Sequence, residues 1–476
     1  MISVAGKLDA VVIGSGPNGL AAAIVLAQAG RQVVVFEAEP TIGGGARSAA
    51  LTLPGFTHDV CSAIHPFAVA SPFFRTLPLA RYGLEWIEPP IMVAHPFDGG
   101  SAAAIVRSLE DTATGLGVDG KAYERLVRPI VDDWSRLESA ILGPLRWPDH
   151  PIELARFGLH AFRPASKLAR GAFATERARG LFAGIAGHGM LPLEKVLTSG
   201  FGLVLGALAH IAGWVLPRGG SQAIADALAA HLRTLGGEIV TSHRITSLDA
   251  LPPSRAVLCD VSPKPLLQIA GHRFPDWYKR KLEEYRYGMG AFKVDWALDG
   301  PIPWRAPECD RAGTVHLGGP LDEIAASERD AWNGRHSERP FVLLTQPTLF
   351  DPSRAPEGKH VVWTYCHVPN GSTVDMLPQI QQQIERFAPG FGERVMARSV
   401  MRPADIEHHN ANLVGGDIAA GACDIWQFFT RPTRQWYTTP VRGLYICSAS
   451  TPPGVGVHGM CGYFAAKKAL EDVLKD

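Results

Sequence analysis

The chain has 476 residues, 46% of them hydrophobic, with 46 Lys and Arg against 46 Asp and Glu. A chain of this length can bury a large core in two or three lobes, and its zero formal net charge supplies no field for nucleic acid or an acidic partner. Seven cysteines (Cys61, Cys259, Cys309, Cys366, Cys423, Cys447, Cys461) form no CxxC pair, so no disulfide framework and no metal site are expected, and a reducing compartment fits.

Residues 9–13 read as a buried parallel strand, followed by Gly14-Ser15-Gly16-Pro17-Asn18-Gly19 and an alanine-rich helix over 20–29. In such a strand-turn-helix unit Gly14 permits the turn. Gly16 lets backbone approach a pyrophosphate, and Gly19 lets helix and strand pack closely, while the helix start offers free N–H groups. A second strand, 32–36, ends at Glu37 and Ala38, where a carboxylate accepts hydrogen bonds from an adenosine ribose and repels a 2′-phosphate. Gly43-Gly44-Gly45-Ala46-Arg47-Ser48 extends this wall, with Arg47 available to neutralise pyrophosphate charge. The first strand starts too early to leave room for a signal peptide, so a cytoplasmic location is expected.

Residues 97–216 read as mainly helical, from 122 to 142 and through an arginine-rich stretch after Arg156. There Arg163, Lys167, Arg170 and Arg177 fall on one side of a possible helix, either a solvated face or a patch for peripheral membrane contact. Residues 196–216 carry no Asp, Glu, Lys or Arg and are long enough to be a transmembrane candidate. Gly200, Gly202, Gly206 and Gly213 interrupt them, which favours a buried helix or tunnel wall. Pro217-Arg218-Gly219-Gly220-Ser221 opens a helix over 222–235, followed by strands at 238–241 and 256–260, with Asp260 a strand-end hydrogen bonder. Strand-like runs at 291–298, 341–345 and 360–366 predict a small sheet under a helical cover. A last strand, 443–447, leads to Gly454-Val455-Gly456-Val457-His458-Gly459 and a helix over 459–474.

In order and over nearly the full length, four motifs resemble the FAD-dependent phytoene-dehydrogenase-related oxidoreductases of the carotenoid-desaturase and amine-oxidase superfamily. They are the first glycine loop with Glu37, Gly-Gly-Gly-Ala-Arg-Ser, Pro-Arg-Gly-Gly-Ser, and Gly443-Leu444-Tyr445 with the terminal glycine loop. The resemblance implies an α/β fold: a Rossmann-like FAD-binding domain of the glutathione-reductase/amine-oxidase type with an inserted mixed-sheet and helical substrate domain. The FAD-binding domain would be discontinuous (1–96, 217–270, 411–476), with a mainly helical cap at 97–216 and a substrate domain at 271–410. Both glycine loops would hold one cofactor, which a single membrane span at 196–216 would forbid.

By the same resemblance FAD would be held by Gly14, Ser15, Gly16, Pro17, Asn18, Gly19, Glu37 and Ala38, then by Gly44, Gly45, Ala46, Arg47 and Ile245. From the C-terminal end Ser450, Gly456, Val457, Gly459 and Met460 would complete the site. Gly454, Gly456 and Gly459 would clear space for the ring, so that bulky replacement of Gly456 or Gly459 costs flavin binding before folding. The implied reaction is dehydrogenation of a small lipophilic, unsaturated or isoprenoid-like substrate by hydride transfer to flavin N5, with oxygen, a quinone or another electron acceptor. Saturation, redox-neutral isomerisation and amine oxidation are the variants. Against amine oxidation, the terminal loop has Val457-His458 where amine oxidases carry an aromatic residue. A flavin-free escort module that covers a prenyl or lipid group is the non-enzymatic alternative. His458, Lys293 and His65 are the candidate acid-base residues; the alternatives are hydrogen bonding or packing for His458, the wet face of an alternating strand for Lys293 and a core or loop position for His65, and His188 and His210 carry less weight. Trp436-Tyr437 could supply an aromatic wall or simply pack.

Overall fold

The computed structural model describes residues 8–475. Its first sheet has five parallel strands in the order Leu444–Ile446, Ala256–Cys259, Ala10–Ile13, Val33–Phe36 and Glu238–Val240. Ala10–Ile13 lies at the centre and is buried at every position, as the continuous apolar run requires of a strand covered on both faces. Register pairs Ile13 with both Phe36 and Cys259, so the glycine loop, Glu37 and Asp260 emerge side by side at the carboxyl ends. In open α/β sheets this is the edge at which ligands bind.

The helix after the loop begins at Pro17 rather than at residue 20, and it packs against the C-terminal helix Met460–Asp472. Their approach is so close that a Cβ on Gly462 would stand 1.8 Å from the Asn18 carbonyl oxygen. Chain start and chain end are therefore joined through backbone contact that no other residue type at 462 permits.

The second sheet has seven strands in the order Val395–Met401, Gly290–Leu298, His360–Val368, Val342–Thr345, Ala312–Leu317, Ile91–Pro96 and Ala102–Ile105. All neighbours are antiparallel except Ala312–Leu317 with Ile91–Pro96. A division at 96/97 thus cuts through a hairpin, and the sheet is larger than the one expected within 271–410. Gly290–Leu298 is buried at all nine positions because strands flank it on both edges and both of its faces are covered, so Lys293 has no wet face.

Between 97 and 216 the expected helix over 122–142 is two helices, Gly120–Asp132 and Trp134–Ile141. The basic residues do not share a helix: Arg163 lies between helices, Lys167 and Arg170 are in Ala165–Ala172, and Arg177 is in Glu176–Gly187. The apolar stretch forms the buried helix Thr198–Ile211, whose Gly202 is covered by the Phe182 ring of Glu176–Gly187. Among the described residues no helix is long and apolar enough to cross a membrane.

Candidate active site

A cavity of about 550 Å³ lies between the two sheets. From the first glycine loop Gly14, Ser15, Gly16, Pro17 and Asn18 line it, and Glu37 and Ala38 follow. Gly44, Gly45, Ala46 and Arg47 form the adjoining stretch, and from the far end of the chain come Val455, Gly456 and Val457. Ile245 and His65 also reach it. The structure thus brings both glycine loops to one cavity.

The other expected contacts lie behind this surface. Gly19 seats the helix on its strand: its Cβ would be 2.1 Å from the Gly14 carbonyl oxygen, and its N–H donates to Asp260 Oδ2 at 2.9 Å. Ser450 is buried, with its hydroxyl 2.7 Å from that of Ser448, and Met460 donates its N–H to His458 Nδ1 at 3.0 Å. Gly459 has φ +69°, and a Cβ there would meet Phe74 at 2.5 Å and Ala21 at 2.9 Å. Its glycine serves packing of the last helix, so substitution there acts on folding, contrary to the ring-clearing expectation. Gly456, with φ +137°, does border the cavity, although a Cβ there would meet the His458 ring at 2.9 Å and Phe67 at 3.3 Å.

Charge on the cavity wall is confined to the parallel-sheet side, where Glu37, Glu39, Arg47, Arg244 and Asp260 supply all of it among the described residues. Glu37 accepts from the Ser15 N–H at 2.9 Å and hydroxyl at 2.5 Å, and from the Glu39 N–H at 2.9 Å. Arg47 is buried and fixed by donating to the carbonyls of Gly44 (3.0 Å) and His409 (2.9 Å). Burial, reinforced by the Glu37 carboxylate, lifts the Asp260 carboxyl to about 7.

The opposite wall comes from the second sheet and its helices: Thr314, Leu343, Trp363 and Tyr365 from strands, and Phe201, Leu205 and Trp214 from the buried helix and the segment after it. The Trp214 indole N–H donates to Thr314 Oγ1 at 2.7 Å, which fixes the ring and satisfies its only polar atom. Beside it Glu176–Gly187 ends at His188, and Met190 adopts φ +51°, an unusual backbone for methionine that turns the chain at the cavity surface. None of these residues carries a local sequence signal; a strand Trp or Tyr reads as core until the fold shows which side faces a void.

Of the acid-base candidates, His458 is only 1% exposed, does not line the cavity, and caps the last helix by accepting the Met460 N–H. Burial lowers it to about 4, so it is neutral. Lys293, 3% exposed, pairs with Asp295, whose Oδ1 stands 3.6 Å from His58 Nδ1, and it too lies off the cavity wall. His65 lines the cavity with Nε2 2.8 Å from Ser221 Oγ and is lowered to about 4 by burial. His210 is bound to the Tyr123 hydroxyl at 2.9 Å, away from the site. Tyr437 donates to the Pro452 carbonyl at 2.9 Å and, with Trp436, stays outside the cavity.

This arrangement defines a Rossmann-like protein with the amine-oxidase type of fold. The pattern of the NAD(P)-binding Rossmann-like domain matches residues 12–77. The chain is similar to pyridine nucleotide-disulfide oxidoreductase domain-containing protein 2 of Mus musculus, at 26% identity over 98% of this chain and 94% of the relative. It is also similar to phytoene dehydrogenase of Streptomyces griseus, at 26% identity over 96% and 94%. The solved structure of putrescine oxidase bound to putrescine superposes with a TM-score of 0.63 at 16% identity, over 99% of this chain and 100% of that one. The similarity to these relatives supports a phytoene-dehydrogenase-related oxidoreductase.

Proposed function

We propose that the protein binds FAD in this cavity and dehydrogenates a lipophilic, unsaturated or isoprenoid-like substrate. The observation that carries the proposal is the division of the wall: charge and bare backbone on one side, an uncharged wall of Trp214, Phe201, Leu205, Leu343 and Met190 on the other. A dinucleotide fits the first side. Gly14, Gly16, Gly44 and Gly456 present backbone without side chains, and Asn18 Oδ1 and His409 Nε2 are buried cavity-wall atoms without a hydrogen-bond partner among the described residues. Since the Asn18 amide can turn either end outward, both side chains can donate to a phosphate.

Bound FAD supplies a two-electron acceptor. Arg47 supports the pyrophosphate charge, Glu37 takes the ribose hydroxyls, and the second wall excludes water and orients an apolar chain. The uncharged wall also supports a hydrocarbon over a protonated amine, which would lack a carboxylate partner there. Exposed Trp147, Ile152 and Leu159, on and beside the helix Pro151–Ala161, support peripheral contact with a lipid surface from which such a substrate is drawn.

Anaerobic mixing of the purified, FAD-loaded protein with polyenes, isoprenoids, fatty acids and amines tests the reading. Polyenes or isoprenoids should bleach the flavin absorbance, with reoxidation by oxygen or a quinone identifying the acceptor. Bleaching by amines alone replaces the reading with amine oxidation, and a colourless protein that refuses FAD replaces it with the escort module.

A further inference from the structure

His188, on the second wall, is half-buried where it meets the cavity, and its Nε2 stands 2.9 Å from Nε2 of the fully buried His316. Such a contact holds one proton: one ring donates and the other accepts. Which ring donates is settled further along. His95, on the neighbouring strand, places Nε2 2.6 Å from the Gly319 carbonyl oxygen. A carbonyl only accepts, so His95 Nε2 carries the hydrogen. Burial holds His95 near 4 and therefore neutral, which leaves its Nδ1 as a lone pair.

His95 Nδ1 and His316 Nδ1 are buried, have no hydrogen-bond partner among the described residues, and converge on the side-chain-free face of Gly184. A methyl carbon there would sit 3.1 Å from the first and 2.7 Å from the second. Two lone pairs turned to the same point repel, so the hydrogen of His316 belongs on Nδ1, its Nε2 accepts, and His188 Nε2 donates. The remaining nitrogen of His188, Nδ1, is then a lone pair on the ring that borders the cavity. The reverse tautomers would set the His316 and His95 lone pairs against each other.

We propose that His188 is the proton-accepting catalytic residue of this cavity, its Nδ1 kept unprotonated by the tautomers that the His95–Gly319 contact and the His188–His316 contact select. The inference rests on the dehydrogenation reading above. In that reaction a hydride, with both electrons of one C–H bond, passes to the oxidised flavin as the two-electron acceptor. The proton on the adjacent carbon goes to His188 Nδ1, and the electron pair of that second C–H bond becomes the new C=C. Loss of hydride makes the neighbouring C–H acidic, so a weakly basic neutral imidazole suffices. Among the described residues no hydrogen bond links His316 onward to His95, so the proton leaves through the cavity to water. His316 and His95 are positioning residues. The other ionisable groups packed around His188 are the buried pair His367 and Glu328, with Nδ1 to Oε2 at 2.7 Å, and Tyr365 on the cavity wall.

Nitrogen-15 NMR of histidine-labelled protein reads the tautomers without turnover. His188 is expected with hydrogen on Nε2 and none on Nδ1, and His95→Leu is expected to mix its two tautomers. In stopped flow, His188→Gln should keep FAD uptake and visible spectrum but lose on the order of 100-fold or more in the rate of flavin bleaching. A His188 hydrogen on Nδ1 in the wild type, or wild-type bleaching rates in His188→Gln, overturns the inference. If the FAD-loaded wild type is bleached by no lipid, the dehydrogenation reading falls, whereas the tautomer measurement judges the histidine contacts by themselves.

Discussion

On the parallel-sheet wall, residues facing the cavity come in short contiguous runs, among them 14–18, 37–39, 44–47 and 455–457, in the loops that follow its strands. On the opposite wall Met190, Leu205, Trp214, Thr314, Leu343 and Tyr365 arrive from as many separate places, and each is set by packing of a whole element. On the proposed function the first wall would bind through backbone and fixed charge, the second through shape and neutral rings. Changes to one should therefore separate from changes to the other, with FAD affinity tracking the first and substrate affinity the second.

The largest effect is expected where the comparison would collapse altogether. Gly462→Leu forces the terminal helix off the first helix, so both walls lose their common frame. It should cost on the order of 3 kcal/mol or more, read by thermal denaturation as a large fall in Tm or as loss of folded protein. Next, Gly456→Val, at a cavity-bordering position with φ +137°, should weaken FAD binding by roughly 100-fold, equivalent to about 2.7 kcal/mol, while lowering Tm far less than Gly462→Leu. Fluorescence titration of FAD against both variants checks the order.

Leu205→Trp should do the converse. Filling the second wall should raise the substrate KM roughly tenfold, about 1.4 kcal/mol, and leave the FAD Kd within about twofold. A parallel loss of FAD affinity would break the separation of the walls.

The last prediction concerns Asp260. Its folded-state pKa, about 7, lies above the ordinary 3.8 because burial and the Glu37 charge disfavour ionisation, so the folded protein holds a proton that the unfolded chain releases. The stability this group contributes is present below the ordinary value, falls as pH rises through the window, and is gone above about 7. Asp260→Asn keeps an acceptor for the Gly19 N–H and should lack that fall, so its denaturation midpoint should gain on the wild type from pH 4 to pH 7 and then run parallel.

The first wall was legible because its constraints are local. A loop that needs positive φ at Gly14, or that leaves no room for a Cβ at Gly19, must display glycine at that place in the sequence. Lys293 was placed on a wet face because alternation along a strand cannot reveal how many strands and layers surround it. His458 drew weight because it sits in the terminal loop, yet its ring turns inward to cap a helix. His188, beside the strained Met190, drew little, since His95, His188 and His316 lie on elements far apart in the chain.

By itself the sequence determined the Rossmann-like half and the acidic residue at the end of its second strand, because close backbone approach demands particular residues at fixed spacing, while the meeting of the two glycine loops was implied by the family resemblance. Only the tertiary structure decided that Ile91–Pro96 joins the second sheet, and which aromatic rings and which histidines meet the cavity. Those outcomes depend on packing between distant segments and on where buried hydrogen bonds end, and neither leaves a periodic or local mark in the chain.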